Sequence, residues 1–324
     1  MKKEFRLVPS IVLDYCRSNG YTNSSLQKEI EPEYKRFDSK KIYEVGLDTV
    51  DAIRCVSDKK RTDFFLKEID RSLKPGSRVL EAGIGTGILS FAASIKVARV
   101  DGIEINKANF RLANKIKKYL EKKFTSYGRH LSNVVFHLGD ALNYHQTKKY
   151  DAIISENIYT GMFYEKQVQI TNYLTKKLLK PDGVVIPNKM FSYVSFCEVS
   201  KVILKNKPAL IVVAEIKNNN YKLLSSFVKY SQLDFSIHNN LSLDFKGRIS
   251  ATSSGVINSL YIKARVFMPS GKYINGSSTD FFTNDIIIPI KKPFKASKGD
   301  HFLFRIKYNY GDNPDQILLD VTKI

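Results

Sequence analysis

The chain of 324 residues lacks any uninterrupted apolar stretch near the ~20 residues that a membrane helix needs. Its opening, Met1-Lys2-Lys3-Glu4-Phe5-Arg6, with Asp14 breaking the only short apolar run behind it, argues against a secretory leader. Cysteine is scarce: Cys16, Cys55 and Cys197 stand far apart, with no Cys-x-x-Cys and no histidine at a metal-ligand spacing, so neither a disulfide scaffold nor a zinc site is expected. A reduced, cytoplasmic setting follows, in which the sequons at Asn23, Asn240 and Asn275 carry no meaning. Acid is also in short supply, 32 Asp and Glu against 52 Lys and Arg, a net charge of +20. With 43% of its residues hydrophobic the chain is too apolar for a disordered basic tail and long enough for two domains. So basic a surface suits nucleic acid, an anionic membrane or an acidic partner.

The charge is uneven. Residues 151–200 hold five basic and five acidic side chains, whereas Lys107, Arg111, Lys115, Lys117, Lys118, Lys122 and Lys123 crowd one stretch. There Phe110, Ala113, Ile116 and Leu120 recur at three- and four-residue steps, which predicts an amphipathic helix with a basic outer face. Aromatic residues do not alternate with those lysines as a base-stacking surface would require, so the face reads as solvated.

From about 76 to 187 the pattern alternates strand and helix, the mark of a parallel sheet covered on both faces. Strands are expected at Arg78–Ala82, Val100–Glu104, Asn133–His137, Asp151–Ser155 and Gly183–Pro187, with helices near 87–96, 106–123 and 165–180. Upstream, 9–19 and 47–72 read as helical. After Pro187 β-branched and aromatic residues alternate with polar ones, and strands are expected at Phe191–Glu198, Leu210–Lys217, Leu260–Phe267, Asp285–Ile290 and His301–Tyr308. The expected architecture is therefore α/β: a helical N-terminal extension over 1–75, a Rossmann-like domain over 76–187 and an all-β, barrel-like domain over 188–324.

The first strand runs into Glu81-Ala82-Gly83-Ile84-Gly85-Thr86-Gly87, and the second ends at Glu104, 21 residues after Gly83. Glycines at a strand-to-helix turn let a ligand approach the backbone, and an acid about 20 residues on can accept ribose hydroxyls. The Gly-x-Gly-x-Gly spacing, with Glu81 two residues before it, differs from the dinucleotide fingerprint. It favours a nucleoside with an amino-acid tail, S-adenosyl-L-methionine, over a structural turn of another α/β fold. Asp140 and Ala141, at the end of the third strand, are placed to read an adenine amino group. The fourth strand delivers a loop with two carboxylates, Glu156 and Glu165, nine residues apart at the carboxyl edge of the sheet, where ligands bind in open α/β folds. Glu165 also suits the start of the next helix and Glu156 a backbone cap, so spacing alone leaves a structural role open.

Ser155-Glu156, an aromatic pair at Phe163-Tyr164 before Glu165, the glycine turn, and Leu179-Lys180-Pro181-Asp182-Gly183 with Ile186-Pro187 together resemble the protein arginine methyltransferase family, well over 42–200 and loosely beyond. The resemblance implies a class I methyltransferase domain with a β-barrel, with Glu156 and Glu165 as the two glutamates that clamp a substrate guanidinium. It also implies that Arg54, in Asp51-Ala52-Ile53-Arg54, grips the cofactor carboxylate and that Glu104 binds the ribose. Such chemistry needs the pair. A guanidinium stays protonated and its lone pairs are delocalised, so two carboxylates along its edges must hold it and present one nitrogen to the methyl group. The pocket is expected around Glu156, Met162 and Phe163.

Three features depart from that family. Tyr34, Phe37 and Tyr43 are the candidates for its tyrosine-rich helix but differ in spacing, and Val45 and Asp48 stand where His and Met are usual. The Thr-His-Trp loop is replaced near Asp280-Phe281-Phe282, and none of His130, His137, His145, His238 and His301 stands in that context. No aromatic-rich dimerisation arm is visible in 199–230, which leaves a homodimer to another interface. The implied activity is guanidino-N-methylation of arginine, in a peptide or protein, free, or in a related small molecule. The +20 charge disfavours cationic tails as acceptors. RNA methylation and a silent, non-catalytic partner role are the alternatives. The first lacks an Asn/Asp-Pro-Pro-Tyr loop, and the intact glycines and glutamates oppose the second.

Overall fold

A computed structural model describes residues 3–21, 47–123, 131–205 and 210–324. Tyr34, Phe37, Tyr43, Val45, Asn23 and His130 lie outside these. Five parallel strands form the central sheet: β1 (Arg78–Ala82), β2 (Arg99–Glu104), β3 (Val134–Leu138), β4 (Tyr150–Ser155) and β5 (Leu179–Ile186), in the order β3-β2-β1-β4-β5. The order reverses beside β1, so the crevice beyond the carboxyl ends of β1, β2 and β4 is where a ligand has access to several loops at once. The strands are buried on both faces, with Val79, Leu80, Val100, Ile153 and Ile154 fully covered, as a sheet sandwiched by helices requires.

Helices α1 (Lys3–Ser18), α2 (Thr49–Ser57), α3 (Lys59–Ser72), α4 (Ile88–Ser94), α5 (Lys107–Lys123) and α6 (Gln167–Leu178) surround it. The amphipathic reading of 106–123 holds, with Leu112, Ala113, Ile116 and Leu120 buried. The stretch 47–72, expected as one helix, is two. Asp58 adopts an extended ψ of 91° and its side chain caps α3 by accepting from Arg61 N–H at 3.0 Å. The first helix starts at Lys3, six residues earlier than expected, with Pro9 inside it.

Beyond β5 the chain is antiparallel. A larger sheet contains β6 (Lys189–Val199), β7 (Ile211–Val212), β8 (Tyr221–Leu223), β9 (Val228–Asp234), β11 (Gly255–Phe267), β12 (Tyr273–Asn275) and β13 (Ile286–Ala296). A three-stranded sheet joins β10 (Ser242–Ser250), β14 (His301–Asn309) and β15 (Leu318–Lys323). Phe196 fills the space between them, meeting Phe294, Phe302 and Phe304 edge-on at 5.7–6.0 Å. Sequence alternation found β6, β11, β13 and β14 but missed β9, β10 and β15, whose faces are half exposed or interrupted by polar residues. The expected strand Leu210–Lys217 is confined to Ile211–Val212, because the chain turns into a 3₁₀ segment at Val213–Glu215. The described residues of 199–230 form a four-residue helix, Lys201–Leu204, two 3₁₀ segments and short strands, not a long helical arm. No described helix is long and apolar enough to cross a membrane.

Candidate functional site

An open cleft of ≈ 1160 Å³, its solvent-filled mouth included, lies at the carboxyl edge of β1, β2 and β4. Glu81, Gly83, Gly85, Glu104, Asp140, Ala141, Glu156 and Glu165 all line it. Gly83 needs its freedom: φ is +79°, and a Cβ there would sit 2.4 Å from Asn157 Oδ1. Gly87 ends the turn as the left-handed N-cap of α4, and its added Cβ would strike the Phe91 ring at 2.8 Å; it does not itself line the cleft. The Glu104 carboxylate accepts from Gly85 N–H at 2.9 Å and from Asn106 N–H at 2.8 Å, which fixes the turn and its acid relative to each other. Burial raises the Glu104 pKa despite these bonds. Glu81 is buried, accepts from the Ser90 hydroxyl and is pushed up to about 8 by desolvation. Asp140 caps the short turn that follows β3, accepting from Leu142 N–H at 2.9 Å.

Glu156 leaves β4 into a pocket where its carboxylate is ion-paired with Arg61 of α3, both side chains at most one-tenth exposed. Desolvation raises its pKa and Arg61 opposes that. Glu165 also lines the cleft, pushed up to about 7 by desolvation and then by the charges of Glu156, Glu104 and Asp51. The loop between them is held in an uncommon conformation, with φ of +72° at Gly161, +59° at Met162 and +62° at Tyr164. It is pinned from two sides. Gln167, fully buried, donates to the Ser155 carbonyl at 2.7 Å and accepts from Asn157 N–H at 3.0 Å and the Ser155 hydroxyl at 2.9 Å. From the β module, Tyr308 O–H donates to the Gly161 carbonyl at 2.7 Å, and Gly311 N–H to that of Met162 at 2.8 Å.

Three expectations are corrected. Met162 and Phe163 do not face the cleft; both are fully buried, Phe163 against the Tyr308 ring at 4.7 Å, because the left-handed turn drives them into the core and leaves Tyr164 on the cleft wall. Arg54 is not a cleft residue either. It lies over the Phe281 ring at 4.3 Å and pairs with Asp51 at 3.3 Å. The cleft is instead lined by Lys166 and by Arg61, seven residues on, which ends a second Asp-x-x-Arg, Asp58-Lys59-Lys60-Arg61, at the point where α2 and α3 part. Asn157, Gln167 and Thr86 were also missed. Thr86 Oγ1 is buried in the cleft with no hydrogen-bond partner among the described residues.

The segment at 280–282 closes against the same region. Asp58 Oδ2 accepts from the backbone N–H groups of Asp280, Phe281 and Phe282 at 3.1, 2.9 and 3.2 Å, while its other oxygen caps α3. No described histidine lines the cleft. Cys55 does, but burial pushes its thiol up to about 12, so it is no nucleophile at neutral pH.

A family model described as a methyltransferase domain matches residues 73–229. An uncharacterized protein of Methanocaldococcus jannaschii is 25% identical over 256 residues, which span 78% of this chain and 88% of that protein. Protein arginine N-methyltransferase 1 of Dictyostelium discoideum is 32% identical over 148 residues, 44% of this chain. The chain spans only 24% to 40% of the curated arginine methyltransferases it matches. Among solved structures, the Trypanosoma brucei PRMT1 enzyme–prozyme heterotetrameric complex with AdoHcy superposes with a TM-score of 0.65 at 16% identity, over 83% of this chain and 95% of that one. With its parallel sheet and appended β module, the chain has a class I methyltransferase fold and resembles the protein arginine methyltransferases, in sequence over its methyltransferase domain and in fold over most of its length.

Proposed function

We propose that this protein transfers a methyl group from S-adenosyl-L-methionine to a guanidino nitrogen. The observation that carries the reading is the pair Glu156 and Glu165, delivered by one strained loop to the wall of a cleft whose other wall is the glycine turn and Glu104. The donor fits the residues present. Gly83 and Gly85 leave backbone open to it, Glu104 suits ribose hydroxyls, Asp140 and Ala141 an adenine edge, and the orphaned Thr86 hydroxyl and Arg61 its amino-acid end. When bound, it supplies an electrophilic methyl on a sulfonium, the leaving group being the neutral thioether.

The chain's own residues do the rest. Arg61 takes one side of Glu156 and fixes that carboxylate, so the acceptor guanidinium is held along its remaining edge and by Glu165. A guanidinium that gains a methyl must give up a proton to stay singly charged, and Glu165, near 7, is matched to receive it at neutral pH. Tyr164, beside Glu165 on the cleft wall, takes over the role in shaping the pocket that was expected of Met162 and Phe163. The acceptor is arginine or a related guanidino compound. The surplus of 20 positive charges favours a small or zwitterionic molecule over a cationic tail. The setting that fits a reduced thiol set is cytoplasmic, and a homodimer would use a surface other than a helical arm.

The test is incubation with methyl-labelled S-adenosylmethionine and, separately, free arginine, an arginine peptide pool and total RNA, followed by hydrolysis and identification of the product. Labelled methylarginine supports the reading, and label confined to nucleosides overturns it.

A further inference from the structure

The two faces of the β6–β11 pair differ in kind. Met190, Ser192, Val194, Leu260, Ile262, Ala264 and Val266 turn into the core, whereas the residues between them, in register as Tyr193 opposite Lys263 and Phe191 opposite Arg265, face outward. At one end this outer face is covered by the segment around Tyr221 and Phe227, which packs on Tyr261. Beyond Phe227 it is partly exposed, and aromatic rings lie there beside cations. Phe191 meets Phe267 at 4.6 Å and Phe267 meets Tyr273 at 5.4 Å, a ladder of rings crossing three strands. Lys229 lies over Phe191 at 4.8 Å, Arg265 over Tyr273 at 4.4 Å and over Tyr193 at 5.7 Å, and Lys263 over Phe227 at 3.5 Å. Tyr273 is half exposed. Asp234, a partly exposed acid at the edge, is neutralised by Lys189 at 3.2 Å.

We propose that this outer face of β6, β9, β11 and β12 binds single-stranded RNA. Stacking of unpaired bases on rings, with Lys and Arg beside them for the phosphates, is how sheet surfaces hold single strands without a deep pocket. Phe191 and Tyr193, two apart on β6, stand about 6.6 Å from each other, so two successive bases of an extended strand find successive platforms there. An Arg that lies on one tyrosine also offers its second planar face to a base. The charge complements the ligand: the chain carries +20, and on this face several of its cations lie on or beside rings. The basic face of α5 has one ring among its lysines, Tyr119 under Lys123 at 5.5 Å, and no ladder of rings. RNA is the nucleic acid that a cell presents unpaired over long stretches, which makes it the partner. The face lies outside the cleft, so the inference stands apart from the proposed methyl transfer and would give such an enzyme a means of localising on a transcript.

Fluorescence anisotropy on the full chain, with a labelled uridine-rich strand of about 15 nucleotides and with the same strand annealed to its complement, reads the binding directly. The single strand is expected to bind at least about tenfold more tightly than the duplex. Tyr273→Ala should weaken it about fivefold or more, since stacking of one base is worth that much. Lys263→Gln with Arg265→Gln should reduce the slope of log K against log salt by about 1.4, or about 0.7 for each phosphate left without its cation. Lys115→Gln with Lys118→Gln on α5 should change affinity less than about twofold. Equal binding of duplex and single strand, an unaltered Tyr273→Ala affinity, or a larger loss in the α5 variant would overturn the proposal. Ultraviolet crosslinking of the unsubstituted protein gives an independent reading if a variant misfolds. Adducts within 189–193 or 263–273 support the site, and adducts confined to other surfaces refute it.

Discussion

The two loops that face each other across the cleft are built on different supports. The glycine turn is secured inside the α/β half: Gly83 and Ile84 donate to the Ile103 carbonyl at 2.9 and 3.3 Å, and Gly85 to Glu104 at 2.9 Å. The double-glutamate loop is secured largely by the β module. Tyr164 N–H donates to the Asp312 carbonyl at 3.1 Å, the Thr160 hydroxyl to that of Asn284 at 2.7 Å, and Tyr308 and Gly311 complete the grip. The donor end can therefore form as soon as the parallel sheet does, whereas the acceptor end takes shape only when the β module docks. Arg61 reaches the acceptor end at Glu156 because α3 carries it from the module boundary into the cleft.

That makes Arg61 the first place to break the comparison. Arg61→Ala strands Glu156 as a buried, unpaired carboxylate, and the expected cost is about 3–5 kcal/mol in urea denaturation. Pairing Arg61→Met with Glu156→Leu should recover most of the stability while activity stays lost, because an apolar pair of similar volume is tolerated where a lone charge is not. If the double variant is no more stable than Arg61→Ala, the ion pair is not what the site is built around. Next in size is Glu165→Gln. Loss of one charge aimed at the guanidinium should lower kcat by about 10²–10³, with the affinity for S-adenosylmethionine unchanged by calorimetry. Equal losses in both would place Glu165 at the donor end.

Asp58→Ala tests the module boundary. It removes the α3 cap, worth about 0.5–2 kcal/mol, and leaves the loop at 280–282 without the acceptor for three N–H groups, so roughly 3 kcal/mol of stability should go. In kinetics the acceptor KM should rise while donor affinity holds. Stability against pH sharpens the same contrast without any substitution at the boundary. Glu165 and Glu81 have folded-state values of about 7 and about 8, above the ordinary 4.5. Below 4.5 both states are protonated and nothing is lost. As pH rises from 4.5 the unfolded chain releases its protons first, so stability falls until about 7 for Glu165 and about 8 for Glu81, then levels. Thermal melts from pH 5 to 8 should show the decline, and Glu165→Gln should flatten its lower part only. Methyl transfer should rise through pH 7 as Glu165 ionises, and a rate that falls there would remove Glu165 as the proton acceptor.

How far these features were legible in the sequence depends on the range over which they are specified. Gly83, Gly85, Glu104 and the β1, β2 and β4 strands are local patterns, and each stands where its spacing put it. Glu156 and Glu165 were findable because they bracket a single loop. Met162 and Phe163 misled because a chain with φ above zero at three nearby positions turns its side chains the other way, and no periodicity encodes that. Arg61 stands in a second Asp-x-x-Arg, Asp58-Lys59-Lys60-Arg61, and local pattern alone does not say which of the two arginines enters the cleft, because Asp58 is fixed by three partners from 280–282, more than 220 residues away. The outer face of β6 and β11 escaped for a related reason: its rings and cations interleave across strands, not along them.

The smallest expected effect is the most direct measure of how the β module shapes the acceptor end. Tyr308 is buried, its ring packs on Phe163, and its hydroxyl both donates to the Gly161 carbonyl and meets Tyr230 at 3.3 Å. Tyr308→Phe keeps the ring and its packing and removes only the hydroxyl, so the expected loss is about 1 kcal/mol, the net worth of a buried hydrogen bond with its partner left behind. In a chain of this size that is a drop of roughly 2 °C in melting temperature. Yet the carbonyl set free belongs to the left-handed turn that aims Glu165, and a carboxylate displaced by a fraction of an ångström holds a guanidinium poorly. Turnover should therefore fall further than stability does, by about tenfold, with donor affinity unmoved. A variant that loses stability and turnover in the same small proportion would mean that the loop keeps its shape without the module, and the division of the cleft into a locally built and a jointly built end would not hold.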